Sequence, residues 1–325
     1  METRQIDRLG RAVSVVGLGT WQLGADWGEV SPKNAHAVLE AAANAGVTFF
    51  DTADVYGDGR SERFCAGLRA DHPDVLIATK MGRRVEQVAE NYNRANFIAW
   101  NDRSRENLGA STVDLVQLHC PPDGVYEDDA AFAALDEMVA QGRIAAYGVS
   151  VETCAQALAA IARPHVATVQ IILNCFRLKP LEEVLPAARR AGVGIIVRVP
   201  LASGLLSGRY DEHTTFAASD HRSYNRRGEA FDVGETFAGV PFSVGVAAAR
   251  ELAALVDPGV TLAQFALRWV IDQAGVSTVI PGARNAQQAT ENVSCAALAP
   301  LREDQLAGVR DVYDRLIRQH VHDRW

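Results

Sequence analysis

Three observations predict a closed (β/α)8 barrel of the TIM type. An alanine-rich helical stretch, a glycine stop and a short β-rich run recur along the chain; these runs are apolar on both faces; and eight of them can be counted. Strands alternating with helices of about ten or more residues imply parallel βαβ units, and strands apolar on both faces imply a sheet covered by helices. Eight such units favour a closed barrel over an open doubly wound sheet.

The elements follow in order. Residues 4–16, RQIDRLGRAVSVV, read as a short hairpin around Leu9-Gly10 that plugs the bottom of the barrel. Residues 16–20 make the first strand. Ser31 is a good N-cap, Pro32 suits the first helical position, and Ala35, Val38, Leu39, Ala42 and Ala43 recur at helical spacing until Gly46 stops the helix. The second strand, 47–50, follows at once, and VLIATK (75–80) is the third. Gly109 precedes VDLVQLH (113–119), Gly142 precedes AAYGVS (145–150), and ATVQII (167–172) is the sixth run. Gly192 then precedes IIVRV (195–199), and Gly275 precedes STVIPG (277–282). Residues 209–242, rich in charge, glycine and aromatics without helical period, read as a long functional loop after the seventh strand. No Pro/Gly/Ser linker divides the chain, and such a barrel takes roughly 250 residues or more, so a single domain over 1–325 is expected.

Composition narrows the partners. With 325 residues, 48% hydrophobic and 22% charged, the chain has material for a large core and little tendency to disorder. A net charge of -8 argues against nucleic acid and for small-molecule partners. The start, METRQIDRLG, lacks an apolar core, and the apolar stretch 193–206 is broken by Arg198 and Pro200, so a cytoplasmic protein without a membrane span is expected, as monomer or homo-oligomer. The five cysteines are odd in number and form no C-x-x-C pair, which predicts reduced thiols; His320 and His322 have no ligand partners nearby, and no metal is assigned.

In barrels of this type the reacting groups gather at the C-terminal ends of the strands and in the loops after them. Asp51 ends the second strand, Tyr56 lies in its loop, Lys80 ends the third strand and His119 the fourth. Singly each has an ordinary explanation, since a strand-end aspartate often caps a helix and surface Tyr, Lys or His usually has no special role. Together they bring four proton-bearing groups from three consecutive strands to one mouth.

DTADVYG (51–57), ATK (78–80) and LVQLHCP (115–121) resemble the signature of the aldo-keto reductase superfamily, and the resemblance runs from GLGTW (17–21) to IPGARNAQQATEN (280–292). It implies interconversion of an aldehyde or ketone and an alcohol by hydride transfer from or to NADP(H). Tyr56 would be the general acid, Lys80 would lower its pKa, Asp51 would hold the lysine charged, and His119 would align the carbonyl oxygen.

The same resemblance implies the cofactor residues. Gly19, Thr20 and Trp21 match the first barrel turn beside the nicotinamide ribose, although GLG alone, without a third glycine, is a poor dinucleotide motif. Ser150 and Gln170 match the pair that grips the carboxamide, with Val151 where an asparagine is usual. In PLASGLLSG (200–208), Pro200, Leu201, Ser203, Gly204, Leu206 and Gly208 match the pyrophosphate loop, where small residues let backbone amides approach the phosphates. Arg284, Gln288, Glu291 and Asn292 match the adenosine stretch. Gly282 and Ala283 replace the lysine and serine that many members use for the 2′-phosphate, which leaves NAD(H) open, while Arg284 offers a guanidinium for that phosphate.

Arg198 stands where the family commonly stacks an aromatic ring on the nicotinamide. Its flat guanidinium would stack there, or it would be a salt-bridged barrel arginine. Trp27, Tyr92, Trp100 and Phe176 are candidate pocket walls. Residues 220–240, with Arg222, Tyr224, Arg226, Arg227 and Phe231, would fold over the cofactor, touch substrate or form a charged flap; similar loops occur in bacterial members associated with sugars and inositols. Two rivals remain: a regulatory cofactor-binding protein like the potassium-channel β-subunits, and an unrelated barrel that binds a sugar phosphate on PLASGLLSG.

Overall fold

In the computed structural model, which describes residues 1–24 and 30–325, the apolar runs join one parallel sheet. Strands β1 (Thr3–Ile6) and β2 (Arg11–Ser14) form an antiparallel hairpin. The barrel strands are β3 (Leu18–Gly19), β4 (Phe49–Asp51), β5 (Leu76–Met81), β6 (Leu115–His119), β7 (Tyr147–Ser150), β8 (Val166–Ile172), β9 (Gly194–Arg198) and β10 (Val276–Val279), paired in chain order. Parallel bridges from Val16 to Val279 and from Gly19 to Gly282 join the two edges, so the (β/α)8 barrel is closed.

Strand alternation sorts the side chains into two cores. Phe49, Leu76, Leu115 and Ile196 point inward and form a small internal cluster, whereas their neighbours Phe50, Ile77, Val116 and Val197 face the helices. Ile6 and Val13 of the hairpin complete the internal cluster. The plug fits closely, because a Cβ on Gly194 would lie 2.7 Å from an Ile6 methyl.

Two residues further along each strand, the same inward parity delivers polar groups: Asp51 after Phe49, Lys80 after Ala78, His119 after Gln117 and Arg198 after Ile196. The barrel is therefore apolar at its base and ionisable at its mouth.

Helices between the strands start and stop as their sequences predict. Ser31 accepts the Asn34 amide at the head of the helix Pro32–Asn44, and Thr153 with Gln156 forms a full capping box. Gly192, in left-handed conformation at φ 68, closes the helix Val184–Ala191 and turns the chain into β9.

The segment 209–242 is more ordered than its lack of period implies. It contains a short helix, His221–Tyr224, and 3-10 turns at Val233–Glu235 and Phe237–Gly239. Tyr210, Phe216, Phe237 and Phe242 pack together within it, with the Arg222 guanidinium 4.4 Å from the Phe216 ring centre. Among the described residues, no helix is long and apolar enough to cross a membrane.

Candidate active site

The loop after β4 turns sharply because Gly57, Asp58 and Gly59 all take positive φ, at 59, 53 and 82. Gly24 packs against that turn so tightly that a Cβ would lie 2.8 Å from the Tyr56 carbonyl carbon. Tyr56 is thereby directed back toward the strand ends. Lys80 Nζ donates to Asp51 Oδ1 at 2.5 Å and to the Thr52 carbonyl at 2.9 Å, and it lies 3.5 Å from the Tyr56 hydroxyl. Asp51 Oδ2 accepts from Gln117 Nε2 at 3.0 Å and from Gln170 Nε2 at 2.8 Å. Both carboxylate oxygens are satisfied. The rings of His119 and Tyr56 meet nearly edge to face at 6.0 Å.

Electrostatics at this cluster follow from burial and from the neighbouring charges. Burial resists ionisation of Tyr56 and outweighs the Lys80 charge, which works the other way, so the phenol is held above its ordinary range. The expected lowering by Lys80 is thus present but is not the larger effect. Burial alone would depress Lys80; the Asp51 carboxylate and Tyr56 reverse this and raise it. His119 is pushed well below its ordinary range by burial and by Arg83, Lys80 and Arg198, which makes it a neutral imidazole at neutral pH. Its Nδ1 is buried with no hydrogen-bond partner among the described residues.

A cavity of about 530 Å³ opens over this cluster. Asp51, Tyr56, His119, Ser150, Gln170 and Arg198 line it from the strand ends, and Gly19, Thr20 and Trp21 from the first turn. Pro200, Leu201, Ser203 and Gly204 form another part of the wall. Gly282, Ala283, Arg284, Gln288, Glu291 and Asn292 supply a further part. That end is braced internally: Asn292 donates to the Gly282 carbonyl at 3.1 Å, and Gln288 Oε1 accepts the Arg284 amide at 2.9 Å. Among the described residues the Arg284 guanidinium has no carboxylate partner.

Arg198 combines the two alternatives that its position suggests. It lines the cavity, yet it is also paired: Nη2 donates to the Val151 carbonyl at 3.0 Å, and Nη1 lies 3.6 Å from Glu235 Oε1. Arg83 donates to the same Glu235 oxygen at 3.0 Å and reaches Glu152 at 3.4 Å. Cys120, Glu152 and Glu235 bring possible ligand atoms within 4.8 Å of one another, but two arginines already supply the positive charge that a cation would bring.

The sequence profile of the Aldo/keto reductase family matches residues 15–314. The chain belongs to that family. The aldo-keto reductase YhdN of Bacillus subtilis is 30% identical over 298 residues, covering 89% of this chain and 86% of that protein. A probable voltage-gated potassium channel subunit beta of Oryza sativa subsp. japonica is 28% identical over 322 residues, covering 93% of each. Among solved structures, the glycerol dehydrogenase AKR11B4 from Gluconobacter oxydans superposes with a TM-score of 0.78 at 29% identity, covering 97% of this chain and 96% of that one.

In this aldo/keto reductase, not every residue expected at the cofactor or substrate lines the cavity. Leu206 is completely buried in the outer core, and Gly208 serves as the left-handed cap of the turn Ala202–Ser207, so neither lines the cavity. Tyr92, Trp100 and Phe176 are likewise core residues; Tyr92 and Trp100 pack with Phe97 behind the strand ends. Trp27 lies outside the described residues. Lys80 does not line the cavity; its Nζ stands 3.5 Å from the hydroxyl of Tyr56, which does. Ser203 lines it, but its hydroxyl already bonds the Glu235 carbonyl and the Phe237 amide.

The sequence reading passed over Gln117, Tyr210, Phe216 and Glu235. Gln117 was accessible from strand parity, two positions before His119. The other three depend on how an aperiodic loop folds back onto the barrel, for which no local pattern exists.

Proposed function

We propose that this chain interconverts an aldehyde or ketone and an alcohol with NADP(H), with Tyr56 as proton donor and acceptor. The observation that carries the reading is the line from buried Asp51 and Lys80 to half-buried Tyr56, which ends at a cavity beside a neutral histidine. The cavity residues fit a dinucleotide: Arg284 offers a phosphate a guanidinium that has no carboxylate partner among the described residues, and small Ser203 and Gly204 in the wall let a ligand approach the backbone closely. The bound cofactor supplies or accepts the hydride.

In the reductive direction, the carbonyl oxygen acquires negative charge and needs a proton. Tyr56 is held protonated by burial and can donate its hydroxyl proton to that oxygen. Lys80, itself anchored by Asp51, stabilises the phenolate left behind. His119, being neutral, donates one N–H to the same oxygen and orients the carbonyl. Arg198 forms part of the wall with Glu235, and the fixed positive charge expected there is largely offset by that carboxylate. Arg198 alone therefore discriminates little between reduced and oxidised cofactor.

The substrate class is a small polar carbonyl or alcohol, with sugars and polyols favoured by the charged lining and by the likeness to a glycerol dehydrogenase. A cytoplasmic location and a single barrel domain belong to the same reading. The name of the rice relative keeps a regulatory, non-turnover role in view. The decisive test is steady-state NADPH consumption with a panel of aldehydes and ketones, comparing the natural chain with Tyr56→Phe. The substitution is expected to lower turnover by about 10² to 10⁴ while NADPH still binds. Equal turnover in both, with chemistry limiting, would remove Tyr56 from the mechanism; no turnover in the natural chain would favour the regulatory role.

A further inference from the structure

The loop after β9 returns to the cavity at Glu235, which is 7% exposed and forms part of the wall. Its Oε1 is occupied by Arg83 and faces Arg198, while Oε2 has no donor among the described residues. Burial opposes its ionisation, but Arg83 and Arg198 outweigh burial and hold the carboxyl below its ordinary range. Arg198, 3.6 Å from Glu235, ends β9 at the same mouth as Tyr56 and His119, so this carboxylate sits at the reacting end of the cavity.

With Glu152, the group contains two carboxylates and two guanidiniums, a balance that cancels. Removing either acid would leave a positive wall. Buried charges in a water-poor site interact strongly and select partners by sign.

The position of Glu235 is set by its surroundings. Ser203 Oγ donates to the Glu235 carbonyl at 3.1 Å. Trp325 Nε1 donates to Asp232 Oδ1 at 3.0 Å, and Arg177 stacks over the Trp325 ring at 3.9 Å. The loop wraps this indole closely: a Cβ on Gly239 would lie 2.4 Å from the ring, and one on Gly234 would lie 3.1 Å from it. Phe237, Ala238 and Gly239 all take positive φ to make that turn.

Resting on the reductase reading above, we propose that Glu235 is a specificity-determining residue: its free oxygen accepts a substrate hydroxyl, and its charge cancels Arg198, so the site takes neutral polyhydroxylated carbonyls and excludes carboxylate-bearing ones. Trp325 is a positioning residue that acts through the loop.

The test compares kcat/KM for glyceraldehyde, neutral and hydroxylated, with that for succinic semialdehyde, an anion, using NADPH throughout. The natural chain should favour glyceraldehyde. Glu235→Gln should shift the ratio toward the anion by about tenfold or more, mainly through KM, since a charge-assisted hydrogen bond and a net charge are both lost. Trp325→Ala should shift it in the same direction by less, and the double substitution should add nothing to Glu235→Gln. A ratio within about twofold of the natural chain in Glu235→Gln, or a natural chain that takes the anion equally well, overturns the proposal. Should Glu235→Gln not fold, Glu235→Asp retracts the acceptor and keeps the charge: a raised glyceraldehyde KM with the anion still excluded supports the proposal, and an unchanged KM overturns it. Failure of the natural chain to reduce any aldehyde would instead sink the reductase reading.

Discussion

Asp51 and Lys80 meet at 2.5 Å with both side chains almost wholly buried, and each is what makes the other's charge tolerable there. Removing one partner of such a pair leaves an uncompensated charge and typically costs about 3–5 kcal/mol. Lys80→Met is therefore expected to lose stability in that range in urea unfolding, tempered by the Gln117 and Gln170 donors that remain on Asp51. The Asp51→Asn, Lys80→Met double variant should recover part of the loss. Loss of the lysine also removes the charge that favours the phenolate, so residual alcohol oxidation should move to higher pH. A single variant as stable as the natural chain would contradict the coupling.

His119 provides a second prediction, because burial and three cations hold it well below its ordinary range. Unfolded, it would titrate near 6.5. As pH falls through about 6.5 the unfolded chain takes up a proton that the folded chain does not, so stability drops with pH. His221, pushed down to about 4 mainly by burial, contributes in the same direction. His119→Gln should abolish one such contribution: between pH 7 and pH 5 its stability should fall less than that of the natural chain, by at most about 2 kcal/mol. Parallel pH curves would mean that His119 protonates normally in the fold.

Much of this site was legible because strand period and glycine stops act locally. The inward parity that places Phe49 in the inner core also places Asp51 at the mouth, and a reader of the sequence can count both. Strand edges were harder, since pairing partners decide them: the run 16–20 is reduced to Leu18–Gly19 plus bridges, because closure depends on β10 far along the chain. Tyr92, Trp100 and Phe176 were misread because large aromatics suit a pocket wall and a core equally well, and only packing distinguishes them. Glu235 was hidden for the opposite reason. Its loop has no period, and its place depends on Ser203 and, through Asp232, on Trp325, neither of which is near it in sequence.

Arg284 supports a prediction about cofactor choice. Its guanidinium lines the cavity without a carboxylate partner among the described residues, next to the braced segment at Gly282 and Asn292. If it holds the 2′-phosphate, Arg284→Ala should weaken NADPH binding by about tenfold or more and leave NADH binding nearly unchanged. Fluorescence titration of both cofactors measures this. Equal losses would put the arginine on a part of the adenosine that the two share.

Asp54 belongs to the same motif as Asp51 and Tyr56, yet neither of its oxygens has a hydrogen-bond partner among the described residues. It is fully buried, and burial together with the nearby Glu62 pushes its carboxyl up to about 7, against the opposing pull of Arg84 and Arg103. Below about pH 3.8 folded and unfolded chains both carry this proton, and no penalty arises. Between about 3.8 and 7 the unfolded chain gives up the proton first, so stability falls as pH rises, and above 7 the full cost of burying the charge is present. Some three pKa units correspond to about 4 kcal/mol at most. Asp54→Asn keeps the shape and removes the charge, so its stability relative to the natural chain should rise from near zero at pH 4 to about 2–4 kcal/mol at pH 8. Any cost from the unpartnered amide is independent of pH and drops out of that slope. Urea unfolding at five pH values measures it; a difference that stays flat from pH 4 to 8 would show that Asp54 does not titrate in this interval.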